Sequence, residues 1–188
     1  MKAVRQRPRS MINHISSKMG MMRTQDTQVT PVDPLLGRGY ERLEELGRGT
    51  FGFALKVKRM QEPRVGSLFV AKMQKFKHLN KDELEYLDRE VENMRVIKHP
   101  HIVRFRESFV TEMHLCIVMD LCEGGDLQEK IATQKGLRTQ MKEEKVVEWL
   151  LQLVTALDYL HNEIKCMHRD IKSAARPGAR WHCMPSIC

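Results

Sequence analysis

The chain has 188 residues, of which 41% are hydrophobic and 30% charged, with a net charge of +8. That profile excludes wholesale disorder, and no apolar run approaches the ~18 residues of a transmembrane helix. The charge is carried by the ends: residues 1–38 contribute +5 and residues 171–188 contribute +3, so the segment 39–170 is neutral.

The first element is a leader without periodicity. Residues 1–36 are rich in Met, Arg, Ser, Thr and Gln, and a solvated basic arm is expected there. From Tyr40 the pattern turns to strands. Tyr40–Leu46 leads into a glycine cluster, and Phe53–Arg59 alternates. Phe53, Leu55 and Val57 fall on one face, Ala54, Lys56 and Lys58 on the other. Pro63 and Gly66 mark a turn before a strand at Ser67–Met73. Asn80–Lys98 is predicted as a helix. Asn80 and Glu83 have capping-box spacing, and Leu84, Leu87, Val91, Met94 and Ile97 form an apolar stripe.

His99-Pro100 closes that helix, and two strands follow at Ile102–Val110 and Leu115–Met119. Gly124-Gly125 breaks the chain before a short helix from Asp126 to about Thr133. Glu143–His161 is a long helix with a wide apolar face, which expects neighbours on more than one side. From Ala174 the pattern dissolves.

Five features carry chemistry. Gly47-Arg48-Gly49-Thr50-Phe51-Gly52 is a G-x-G-x-x-G flanked by strands. A dinucleotide site needs a helix behind the glycines, so this is instead a lid whose backbone can lie close over phosphates. Lys72 ends the next strand and can reach such phosphates. Glu90, on the striped helix, can hold Lys72 by an ion pair. The strand ending Met119-Asp120, running into Leu121-Cys122-Glu123-Gly124-Gly125-Asp126, offers backbone groups to the edge of an adenine ring. His168-Arg169-Asp170-Ile171-Lys172 follows the long helix. Its Asp170 can accept a proton from a hydroxyl, and Lys172 can neutralise a transferring phosphoryl group.

In this order and spacing the residues resemble the protein kinase family, from about Tyr40 to Ser173. Within it they are most similar to the NIMA-related kinases, through Lys98-His99-Pro100-His101-Ile102-Val103, the Ile117–Leu127 string and His168–Ser173. The resemblance implies an α+β fold: a complete small lobe, an antiparallel sheet with one helix, at 39–119, and the hinge and first large-lobe helices at 120–173. Residues 1–38 and 174–188 would be disordered ends. It implies ATP-dependent phosphorylation of protein serine or threonine. Gly47, Arg48, Gly49 and Gly52 would cover the ATP phosphates, and Lys72, paired with Glu90, would hold two of them. Ala54 and Val70 would sandwich the adenine, Met119 would be the gatekeeper, Asp120 and Cys122 would bond the ring, and Asp126 would reach the ribose. Asp170 would be the catalytic base, with Lys172 the serine/threonine-type partner.

The resemblance breaks after Ser173. Ala175 stands where the family has a metal-ligating Asn, and no D-F-G follows. Mg2+ is expected for the family, but its protein ligands are missing here. Nucleotide binding with little or no transfer is therefore expected, or else a pseudokinase-like binding fragment or a non-functional product. A protein partner could cover the open face of the 143–161 helix. Membrane and nucleic-acid partners are not expected. The five cysteines, an odd number with no C-x-x-C, fit a reducing, cytoplasmic setting; the family resemblance adds cytoskeleton or nucleus.

Overall fold

The computed structural model describes residues 33–49, 52–75, 80–111, 113–168 and 171. Two compact units divide the chain: Met1–Val91 with Ser108–Ile117, and Glu92–Glu107 with Val118–Cys188.

A five-stranded sheet has the order β1-β2-β3-β5-β4. Its strands are β1 Tyr40–Gly49, β2 Gly52–Arg59, β3 Leu68–Lys75, β4 Phe105–Val110 and β5 His114–Asp120. The first three pair antiparallel. The expected alternation of β2 is realised: Leu55 and Val57 are buried, at 3% and 0% exposure, against half-buried Ala54, Lys56 and Lys58. Phe69, Ala71 and Met73 of β3 are buried as well. They lie across from Val57, Leu55 and Phe53, so these six residues share one face of the sheet. Directly opposed residues project to the same side.

Strand β1 is longer than its apolar pattern indicates and carries two register shifts, at Arg42/Glu44 and Glu45/Gly47. Each inserts an extra residue, Leu43 and Leu46, and a bulge of this kind bends and twists the strand locally.

Helix α1, Lys81–Val96, begins with the expected capping box. Glu83 N–H donates to Asn80 Oδ1 at 2.9 Å, and Asn80 N–H donates to Glu83 Oε2 at 2.7 Å. The whole stripe Leu84, Leu87, Val91, Met94 and Ile97 is buried.

In the second unit, Ile102 and Val103 are buried ahead of β4, which starts at Phe105; Ile102 makes only an isolated bridge. Helix α2, Leu127–Gly136, and helix α3, Glu143–Asp158, follow. A π-helical turn continues α3 over Tyr159–Ile164, ending where Lys165 adopts a left-handed conformation (φ 61°). On α3, Val146, Val147, Leu150, Leu151 and Val154 are 46–60% exposed, while Ala156 is buried. The wide apolar face is thus open among the described residues. None of the described helices is long and apolar enough to cross a membrane.

Candidate nucleotide site

In the first unit, the glycine turn joins β1 to β2, with Gly49 across from Gly52 and Gly47 across from Ala54. The next pairing out sets Ala54 directly opposite Lys72, and Lys56 opposite Val70. Gly47, Ala54, Val70 and Lys72 therefore line one face of the sheet, the face away from the six apolar residues above. Ala54 and Lys72 are half-buried there and Val70 is buried. Lys56 and Lys58 project from the same face, and Lys56 is bound to Glu44 at 2.9 Å. Small apolar groups beside ammonium groups under a glycine turn suit a ligand that is flat at one end and anionic at the other.

The three glycines are not equivalent. At Gly52 (φ 158°) a Cβ would lie 1.8 Å from the carbonyl oxygen of Met73, so the fold itself requires glycine there. At Gly47 and Gly49 a Cβ would meet nothing within 4 Å among the described residues. Neither is in the left-handed region. Nothing described in the fold demands glycine at these two positions; close approach of a ligand would.

Arg48 points the other way. It lies across from Phe53, on the face opposite Lys72. Its guanidinium donates to Glu45 Oε1 and Oε2 at 2.9 and 2.7 Å, and lies 5.0 Å from the Phe53 ring centroid. Its side chain is engaged on the sheet rather than directed to the Lys72 face. Glu90 is buried at 6% exposure on α1, in line with Leu87 and Met94, so its carboxylate is held inside the same unit as Lys72.

In the second unit, Met119 is buried and Asp120 and Cys122 are half-buried. Asp120 ends β5 and is fixed twice. Its N–H donates to Arg104 C=O at 3.1 Å, and its carboxylate takes both arms of Arg106, with Nη2 to Oδ2 at 2.7 Å. Sequence pattern does not mark Arg106 as a partner, because it lies 14 residues from Asp120 and only strand pairing joins the two. Asp126, expected at a ribose, is the N-cap of α2: its Oδ1 accepts from Glu129 N–H at 2.7 Å and its own N–H donates to Glu129 Oε2 at 3.0 Å. The D-x-x-E spacing that signals this cap was present in the sequence. His168 is buried. Asp170 and Lys172 lie outside the described residues, as do Ala175 and the tail with Trp181, His182, Cys183 and Cys188.

Residues 40–175 match the protein kinase domain family. This chain belongs to that family. Its relatives include the serine/threonine-protein kinase Nek1 of Mus musculus, 40% identical over 134 residues, which cover 71% of this chain and 11% of the relative. Nek11 of Homo sapiens is 35% identical over 139 residues, covering 74% of this chain and 21% of the relative. Nek3 of Oryza sativa subsp. japonica is 37% identical over 135 residues, covering 71% and 22%. The kinase domain here is thus of the NIMA-related kind, and the chain spans about a tenth to a fifth of the length of these relatives. The five-stranded sheet with α1 is consistent with a kinase small lobe, and α2 and α3 with part of the large one.

Among its described residues the kinase domain brings together no group of three or more His, Cys, Asp or Glu able to hold an ion. At 175 the methyl of alanine offers no donor oxygen.

Proposed function

We propose that this chain is the ATP-binding part of a serine/threonine protein kinase of NIMA-related type. The observation that carries the reading is the register of β2 and β3. It puts Ala54, Val70 and Lys72 on one face, beside a glycine turn whose Gly47 and Gly49 have open space where side chains would stand. ATP takes its phosphates to that turn and to Lys72, and its adenine to Ala54 and Val70. In this reading Lys72 pairs with Glu90, buried in the same unit, when it holds the phosphates.

Asp170 serves as base toward a protein hydroxyl, with Lys172 beside it. In the 188-residue polypeptide, transfer is near background: Ala175 replaces a metal ligand and no D-F-G follows Ser173. Electrostatic groups of that kind are worth ~2.7–4 kcal/mol each.

The test is calorimetric titration of the purified chain with ATP, with and without magnesium, against Lys72→Met. Saturable binding that changes little with magnesium and collapses in Lys72→Met is expected. Equal binding by both proteins would refute the site. Turnover of a serine/threonine substrate at ordinary kinase rates of about 1–100 per second, lost in Lys72→Met, would refute the inactivity.

A second reading is a pseudokinase-like binding or regulatory fragment. A stable protein complex that forms without ATP would favour it.

A further inference from the structure

Among the described residues of the glycine turn (47, 48, 49 and 52), Arg48 alone has a side chain. Gly47 and Gly49 touch nothing within 4 Å through the space of a Cβ. Arg48 is therefore the one side-chain handle by which this described part of the turn is tied to the sheet beneath it.

The handle is well made. Glu45, three residues earlier on β1, takes the guanidinium by two parallel hydrogen bonds at 2.9 and 2.7 Å, the fork geometry that restricts an arginine most. The guanidinium covers the Phe53 ring at 5.0 Å, and the ring of His114, at the start of β5, meets Phe53 edge-on at 5.5 Å and 72°. Glu45 sits at the second β1 bulge, where Leu46 is the extra residue. The bulge bends the strand at the point where the pair holds it. All four residues lie in one unit, and Arg48 and Phe53 project from the face opposite Lys72.

We infer that Glu45, Arg48, Phe53 and His114 form a clasp behind the sheet that sets the glycine turn in place for the phosphates of ATP. The inference rests on the nucleotide reading above and assigns Arg48 a role distinct from touching phosphate. Arg48 is a positioning residue: it acts through the backbone of Gly47 and Gly49. The clasp restricts a turn that two glycines would otherwise leave with large conformational freedom, so less ordering is left for phosphate binding to impose. Its effect is confined to ligands that use the turn. ATP gains from it; adenosine, which has no phosphates, does not.

The two roles for Arg48 make opposite predictions at Glu45. If Arg48 bound phosphate directly, Glu45→Gln would remove a competing negative charge and tighten ATP. With the clasp, Glu45→Gln loosens the turn and weakens ATP.

The experiment titrates the purified 188-residue chain, Arg48→Ala, Arg48→Lys, Glu45→Gln and the Arg48→Ala/Glu45→Gln double variant with ATP and with adenosine. Amide hydrogen exchange is read over Gly47–Gly52 in the same proteins. From the usual worth of an exposed ion pair and an exposed cation–π contact, ATP affinity is expected to fall about three- to tenfold in Arg48→Ala. Adenosine affinity stays within about twofold of the original. Glu45→Gln falls in the same direction, the double variant is no weaker than Arg48→Ala alone, and Arg48→Lys recovers only part. Exchange over Gly47–Gly52 quickens in every variant.

Tighter ATP binding by Glu45→Gln overturns the clasp in favour of direct contact. Equal loss for ATP and adenosine reduces it to general structural support and overturns it too. Unchanged exchange in Arg48→Ala removes the clasp while leaving the nucleotide reading intact. Failure of the unaltered chain to bind either ligand removes the nucleotide reading and the clasp's ligand role together.

Discussion

The three glycines of the turn allow one substitution to separate folding from ligand binding. In Gly52→Ala the new Cβ would stand 1.8 Å from Met73 O, 2.9 Å from Met73 C and 3.1 Å from Gln74 Cα. Close carbon–oxygen contacts settle at about 3.3 Å, so β2 and β3 must part locally by roughly 1.5 Å. The obstacle is backbone, which no rotamer change relieves. The shift also stretches the ladder that sets Ala54 opposite Lys72. The cost falls at the upper end of overpacking penalties, about 3 kcal/mol. For a chain of this size that lowers the thermal midpoint by about 6–12 °C. Gly47→Ala and Gly49→Ala meet no described neighbour, and alanine is favoured over glycine within a strand by about 0.5–1 kcal/mol. Their midpoints hold or rise slightly, while ATP affinity falls by about tenfold or more, since a methyl group takes the space of closest phosphate approach. The assay is thermal unfolding by circular dichroism beside ATP titration of the three variants. A midpoint in Gly47→Ala or Gly49→Ala depressed as far as in Gly52→Ala would refute the steric reasoning. Unchanged ATP affinity in both would refute the ligand reasoning.

Two further outcomes follow from the ion pair of Asp120 and from the histidines. Arg106→Ala strips a two-armed partner from Asp120, whose side chain is 32% exposed; unfolding in urea is expected to show a loss of roughly 1–3 kcal/mol, and no loss would mean the pair is dispensable. Burial first, then neighbouring charge (His101 for His99, Lys75 for His114), holds both imidazoles below their ordinary value of 6.5. The unfolded chain then takes up protons that the folded chain resists. Their contribution to stability is full above about pH 6.5 and is lost as the pH falls below it. Urea midpoints measured from pH 7.5 to 5.5 should decline, and a His99→Gln/His114→Gln protein should decline less; an identical decline would refute the assignment.

Local patterns carried the elements well. The period-two alternation of Phe53–Arg59, the five-residue stripe of α1 and the Asn80–Glu83 box are each set by neighbours within four residues along the chain. Side-chain periodicity and capping need nothing more distant. The order of chemical residues along the chain was also legible, and it sufficed to name the family. The element ends were less so. Ile102 and Val103 are apolar and buried yet precede β4, because burial alone does not distinguish a ladder residue from a packed connection. The long helix passes into a π turn after Asp158, a change in hydrogen-bond register that apolar periodicity does not mark.

The sequence by itself determined which groups are available: a glycine turn, Lys72, Glu90, a strand ending at Asp120, and an alanine at 175. Only the tertiary structure decided which way those groups face. The two β1 bulges and the β2–β3 register put Ala54, Val70 and Lys72 on one side and turned Arg48 to the other. The pairing of Arg106 with Asp120 likewise depends on strands meeting at a separation of 14 residues. A strand's residues alternate between two faces, so a one-residue slip in pairing reverses every side chain. That choice is made by the partner strand, and the partner's position is not written in any local stretch of sequence.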